Sequence, residues 1–121
     1  MCINIVVVDD DPEFRRIVTT LLRARGLRVV AEAGDGSSAL TVVRAHRPHG
    51  LLLDLHLPDM NGLSVAQRLA EDEVRPRIVL TSTDGALWSQ EELEAAGVAG
   101  FVAKDKLVDA DLRSLFASST P

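Results

Sequence analysis

Five short apolar runs, each followed by a stretch of helical periodicity, set the tightest limit on how this chain can fold. The runs are Ile3–Val8, Leu27–Ala33, Leu51–Asp54, Arg77–Thr81 and Ala99–Ala103. They are close to continuously apolar, as strands buried on both faces are. Between them, apolar residues recur on one helical face: Phe14, Ile17, Val18, Leu21 and Leu22 within Pro12–Arg25, then Val65, Ala66, Leu69 and Ala70 after Gly62. A helix from about Ser37 to Ala45 fills the second interval, and Val108, Leu112, Leu115 and Phe116 give the last helix its inner face. Asp11 ahead of Pro12 reads as an N-cap with proline at the first helical position, and Gly26 as a stop. Ser89 and Glu92 form a capping box, so the fourth helix starts near Ser89 and Ser82–Trp88 is left as a roomy loop.

Strand-helix alternation of this kind builds a parallel sheet covered on both faces. Right-handed crossovers make it doubly wound. For five strands the expected order is 2-1-3-4-5, a flavodoxin-like (βα)5 three-layer sandwich with its ligand crevice at the carboxyl ends of strands 1 and 3. The 121 residues suit one domain, expected over 1–121. A net charge of −5 without clustered Lys or Arg speaks against nucleic-acid binding by this domain itself. Cys2 is the only cysteine, which excludes an intramolecular disulfide and a cysteine-based metal site. No apolar run approaches the ~18 residues of a membrane span. The start, MCINIVVVDD, lacks a basic leader region and a cleavage site. The expectation is a cytoplasmic protein with no membrane contact.

The chemistry-bearing residues fall at one edge of that sheet. Asp9 and Asp10 close the first strand, Asp54 the third and Thr81 the fourth, and Lys104 follows the fifth. Three carboxylates in one cleft repel each other and raise one another's pKa. A hard divalent cation removes the conflict, and an all-oxygen donor set favours Mg²⁺. Acids holding a metal beside a lone lysine and a hydroxyl suit the neutralisation of a phosphoryl group in transfer. Asp54 is the natural nucleophile, because a carboxylate can accept a phosphoryl group as an acyl phosphate. The duller readings are that Asp11 is only a cap, that Asp59 and Asn61 are turn and cap residues, and that His46 and His49 are solvated loop residues. Trp88 is either a lid or a partner contact.

In order and spacing, VVVDDDPEFRR, LLLDLHLPDMNG, IVLTST and GFVAKD make the chain resemble a receiver domain of bacterial two-component response regulators over essentially its whole length. The resemblance implies that Asp54 is the phosphoacceptor, that Asp10 ligates Mg²⁺ directly with Asp9 mostly acting through water, and that the His56 backbone carbonyl completes the protein ligands. Mn²⁺ would substitute. Thr81 and Lys104 would each hold a phosphoryl oxygen, and Phe101 would be the aromatic that moves with Thr81. The expected donor is a sensor histidine kinase or a histidine phosphotransfer protein, and activation could bring a homodimer. Such a domain is a self-phosphorylating switch rather than a turnover enzyme. Where many relatives carry proline after the lysine, this chain has Asp105, so a trans bond is expected at Lys104–Asp105. That ending resembles the subgroup that precedes a helix-turn-helix output domain, and transcriptional regulation is the implied role. His56 and Thr83 stand at places that influence phosphoryl lifetime, and the bulky imidazole suggests a long-lived phosphoryl state.

Two rivals need weighing. Asp9 and Asp11 make the D-x-D of haloacid-dehalogenase-like phosphohydrolases, but Glu13 breaks that pattern and no cap domain is inserted. A receiver-like module that binds a partner without phosphorylation is the other, opposed by the intact set of Asp10, Asp54, Thr81 and Lys104. A dinucleotide-binding domain fails because no G-x-G-x-x-G follows the first strand.

Overall fold

A computed structural model describes residues 3–72, 75–83 and 88–117. Strands β1 (Asn4–Val8), β2 (Arg28–Ala33), β3 (Gly50–Asp54), β4 (Arg77–Ser82) and β5 (Gly100–Ala103) form one sheet of order β2-β1-β3-β4-β5. Every pairing between them is parallel, as the continuous apolar runs require. Helices α1 (Pro12–Ala24), α2 (Gly36–His46), α3 (Gly62–Glu71), α4 (Gln90–Ala95) and α5 (Leu112–Phe116) make the crossovers.

Alternation along the strands divides the core between the two faces. Val6, Val8, Leu51, Leu53, Ile78 and Leu80 pack toward α2, α3 and α4. Ile5, Val7, Leu52 and Val79 pack toward Val18 and Leu22 of α1 and Leu112 and Phe116 of α5. Gly50 marks how closely the second layer approaches: a Cβ there would collide with Phe116 and lie 2.7 Å from Ile5 Cδ1.

The expected stops and caps are present. The Asp11 carboxylate accepts from the Glu13 and Phe14 backbone N–H groups, and Asn61 accepts from Ser64 to open α3. Ser89 and Glu92 complete a reciprocal capping box. Gly26 turns the chain out of α1 at φ 82°, a conformation that side chains with a Cβ rarely adopt. Among the described residues there is no cis peptide bond, so Lys104–Asp105 is trans.

Several expectations need correction. Ile17 is 59% exposed, because Val18 and Leu22 aim α1 at the sheet and Ile17 falls one step around the helix. Val108 is 60% exposed and lies outside α5. The chain instead makes a 3-10 helix over Lys104–Asp109 with Leu107 inward, and Asp111 caps a fresh start by accepting from the Ser114 N–H at 3.1 Å. His49 is not simply solvated, since its Nδ1 accepts from the Asn4 N–H at 2.9 Å. Asp59 is more than a turn residue, as described below. Of the loop expected over Ser82–Trp88, Ser82 belongs to β4, residues 84–87 lie outside the described residues, and Trp88 packs on the first core cluster.

Candidate phosphoryl-transfer site

The carboxyl ends of β1, β3 and β4 bring the expected residues together. Asp54 closes β3 in register with Thr81 of β4, and both are buried. Asp9 follows β1 and is equally buried, whereas its neighbour Asp10 faces solvent. Carboxylate oxygens of Asp9, Asp10 and Asp54 all lie within 4.8 Å of one another. Lys104, just past β5, reaches back over them: its Nζ is 2.7 Å from Asp9 Oδ2 and 3.4 Å from Asp54 Oδ2.

Backbone groups hold these acids in place. The Asp11 N–H donates to Asp9 Oδ1 at 2.9 Å, and the His56 N–H donates to Asp54 Oδ1 at 3.1 Å. The Leu55 N–H donates to the Thr81 carbonyl at 2.9 Å, which carries β3–β4 pairing one residue past Asp54. Gly62, at the start of α3, is packed so tightly beneath this point that a Cβ would lie 2.8 Å from the Asp54 carbonyl oxygen.

Burial raises the pKa of Asp54, and the charge of Asp9 adds to that, against lowering by the His56 N–H and Lys104. Burial pulls Lys104 down, but hydrogen bonding and charge from Asp9 and Asp54 together outweigh it, so its pKa is raised above 10.5. Burial thus penalises charge at this site, and the Lys104 ammonium compensates for it. Asp9 Oδ2 is buried, with the Lys104 ammonium at 2.7 Å as its charged partner. Three carboxylates sharing one ammonium leave net negative charge in an all-oxygen cluster, which fits a hard divalent cation such as Mg²⁺.

Other sequence-singled residues lie at the margins. Phe101 is opposite Leu80, one place short of Thr81, and packs into the core cluster on the α4 side rather than against the acids. Thr83 and the side chain of His56 are exposed.

Three contributors were not anticipated from sequence. Arg15 of α1 donates to the Asp9 carbonyl and, at 3.3 Å, to Glu32 Oε1, which clamps the loop after β1. The ring centroid of Phe14 lies 4.4 Å from the Lys104 Nζ. Asp59, in the loop after Asp54, accepts from the backbone N–H groups of Gly36 at 2.7 Å and Ser37 at 3.0 Å, fastening that loop to the start of α2. Those two N–H groups hold the Asp59 carboxyl below its usual value. Apart from Arg15 with Asp9, six residues away, these pairings span distant parts of the chain, so no local pattern announces them.

The sequence pattern of the response regulator receiver domain matches residues 5–115. MtrA of Mycolicibacterium smegmatis, a DNA-binding response regulator, is 49% identical over 79 residues, which cover 65% of this chain and 34% of that protein. NarL of Mycobacterium tuberculosis is 38% identical over 104 residues, covering 85% of this chain and 48% of that protein. The solved signal receiver domain of Mycobacterium tuberculosis NarL superposes with a TM-score of 0.83 at 34% identity, covering 97% of this chain and 98% of that one. The chain thus spans between a third and a half of the length of these curated relatives.

Proposed function

This chain belongs to the response regulator receiver domain family of two-component signalling, and on that premise we propose that it is a phosphorylation-controlled switch with Asp54 as acceptor. The donor is a phosphohistidine on a sensor histidine kinase or a histidine phosphotransfer protein. An Asp54 carboxylate oxygen attacks phosphorus, the phosphorus–nitrogen bond breaks, and the departing imidazole keeps the electron pair and takes up a proton. Mg²⁺ held by Asp10, Asp54 and the His56 carbonyl, with Asp9 acting mostly through water, would offset the charge on the transferring oxygens.

The remaining work belongs to side chains. Lys104 exchanges its contact with Asp54 for one to a phosphoryl oxygen. The Thr81 hydroxyl donates to another, and Phe101 follows Thr81, biasing the face of α4, β5 and α5 toward an active arrangement. The extent of that shift is set by how well the phosphoryl group discriminates the two states. His56 and Thr83, each two residues after Asp54 and Thr81 respectively, govern how fast water removes the phosphoryl group. Transcriptional control through an output domain or partner is the proposed readout, since NarL is named as a transcriptional regulatory protein and MtrA as a DNA-binding response regulator. Homodimerisation on activation would fit that output. At a net charge of −5 this domain would leave contact with nucleic acid to the partner.

The observation that carries this reading is Asp54 itself: a carboxylate only 4% exposed at the end of a core strand, sharing one ammonium with a second buried acid. Burial of a charge is costly, and one ammonium shared by two buried acids offsets that cost only in part, as the raised pKa of Asp54 reflects, which favours a functional acid over a structural one. Intact-mass spectrometry after incubation with acetyl phosphate tests it. One added phosphoryl mass that needs both Mg²⁺ and Asp54, and disappears in Asp54→Asn, is expected. No gain from either acetyl phosphate or a phosphohistidine donor would overturn it.

A further inference from the structure

Among the described residues the Lys104 ammonium has three partners, two of them charged. It lies 2.7 Å from Asp9 Oδ2, 3.4 Å from Asp54 Oδ2 and 4.4 Å from the ring centroid of Phe14. Phe14 sits in the first turns of α1, half-buried against the α1–α5 side of the core. The same stretch carries the Asp11 cap and the Arg15 clamp on the Asp9 carbonyl. The opening of α1 therefore forms one wall of the acid–lysine cluster, and the ring covers a side of the ammonium that water would otherwise solvate.

From this geometry we infer that Phe14 is a positioning residue for phosphoryl transfer, its ring face holding the Lys104 ammonium over Asp54. The inference rests on the reading of Asp54 as phosphoacceptor. A lysine on four flexible methylenes is a mobile point charge. Its two carboxylate partners are the groups whose charge is altered during transfer: Asp54 becomes a neutral acyl group, and Asp9 faces an incoming cation. The ring quadrupole is unchanged by either event, so it is the one attraction that persists throughout. A ring at this distance also favours the charged amine without competing for the phosphoryl oxygen.

Replacing Phe14 site-specifically with mono-, di- and trifluorophenylalanine weakens the ring face while nearly preserving its shape. Initial rates of phosphorylation by acetyl phosphate at saturating Mg²⁺ should fall stepwise, on the order of fivefold across the series. Mg²⁺ affinity should stay level and the melting temperature should fall by no more than about 4 °C, whereas a merely structural ring would leave the rate level. Independently, the Lys104 ε-methylene protons of the unphosphorylated protein should be shifted upfield by the ring and return to ordinary positions in Phe14→Leu. A level rate across the series in a chain that is phosphorylated at Asp54, or ordinary ε-methylene positions in the wild type, overturns the inference alone. A wild-type chain that takes no phosphoryl group overturns it together with the reading beneath it.

Discussion

Lys104→Met is the perturbation that most sharply separates electrostatic from packing accounts of this site. The methionine keeps the stem's apolar contacts and removes the single ammonium that faces Asp9 Oδ2 at 2.7 Å and Asp54 Oδ2 at 3.4 Å. Breaking a buried ion pair from one side costs about 3–5 kcal/mol, because the partner charge is left uncompensated. The Lys104 side chain is 17% exposed against 1% for Asp9, which places the loss near the lower end, about 3 kcal/mol. At about 4 °C per kcal/mol for a domain of this size, the melting temperature should drop by about 12 °C without Mg²⁺ at neutral pH.

The pH dependence has a definite sign. Lys104 is raised above 10.5 in the folded state, so its stabilisation is complete below pH 10.5 and is lost as pH climbs through the folded value. Asp54 is raised by burial, and without the ammonium it rises further, so the variant regains stability relative to wild type as pH falls through that folded value. Added Mg²⁺ should restore more stability to the variant than it adds to wild type, since it replaces the missing charge. Thermal unfolding with and without Mg²⁺ between neutral and acid pH measures all of this. An unchanged melting temperature without Mg²⁺, or equal Mg²⁺ shifts in both proteins, would mean that the Lys104 charge does not hold the two buried acids.

Three other perturbations have defined outcomes. Gly62→Ala would place a Cβ 2.8 Å from the Asp54 carbonyl oxygen and 2.9 Å from Leu80 Cδ2. It should cost about 1–3 kcal/mol in denaturant unfolding, and slow acetyl phosphate labelling by about tenfold or more through displacement of the acceptor. Asp59→Ala removes the carboxylate that Gly36 and Ser37 donate to, lowering stability at neutral pH. Because Asp59 is lowered from 3.8, the gap between wild type and variant should hold above that pH and close as pH falls through the folded value, as acid-series unfolding would show. Gly50→Ala should destabilise by about 1–3 kcal/mol through its collision with Phe116, and Phe116→Leu should recover part of that loss in a double-mutant cycle.

What was legible in the sequence is what depends on short-range pattern. The continuous apolar runs fixed the strands, and right-handed crossovers left few orders for five of them to adopt. Asp11, Asn61 and the Ser89–Glu92 pair announced helix starts because capping is a matter of three or four residues. The convergence of Asp9, Asp10, Asp54 and Lys104 followed from parallel strands sharing one carboxyl edge. Illegible were the contacts made across that edge. Nothing near Phe14 indicates that Lys104 will lie over it, nothing in PDMNG points to the start of α2, and Arg15 looks like any exposed helix arginine. Ile17 misled because successive helix positions stand about 100° apart and Val18 and Leu22 decide which one points inward, and Val108 misled because it belongs to the 3-10 helix with Leu107 inward rather than to α5. The Asp111 cap four residues before Leu115 was available as a signal that the last helix begins late.

Chemical trapping of the phosphorylated carboxylate identifies the acceptor directly. The chain, labelled by acetyl phosphate in Mg²⁺, would be reduced with borohydride, which converts an acyl phosphate to the corresponding alcohol, and then mapped by peptide mass spectrometry. Homoserine is expected at position 54, with aspartate unchanged at positions 9, 10 and 11. Homoserine at position 9 with Asp54 intact would contradict it and would favour a phosphohydrolase-type nucleophile at the end of β1.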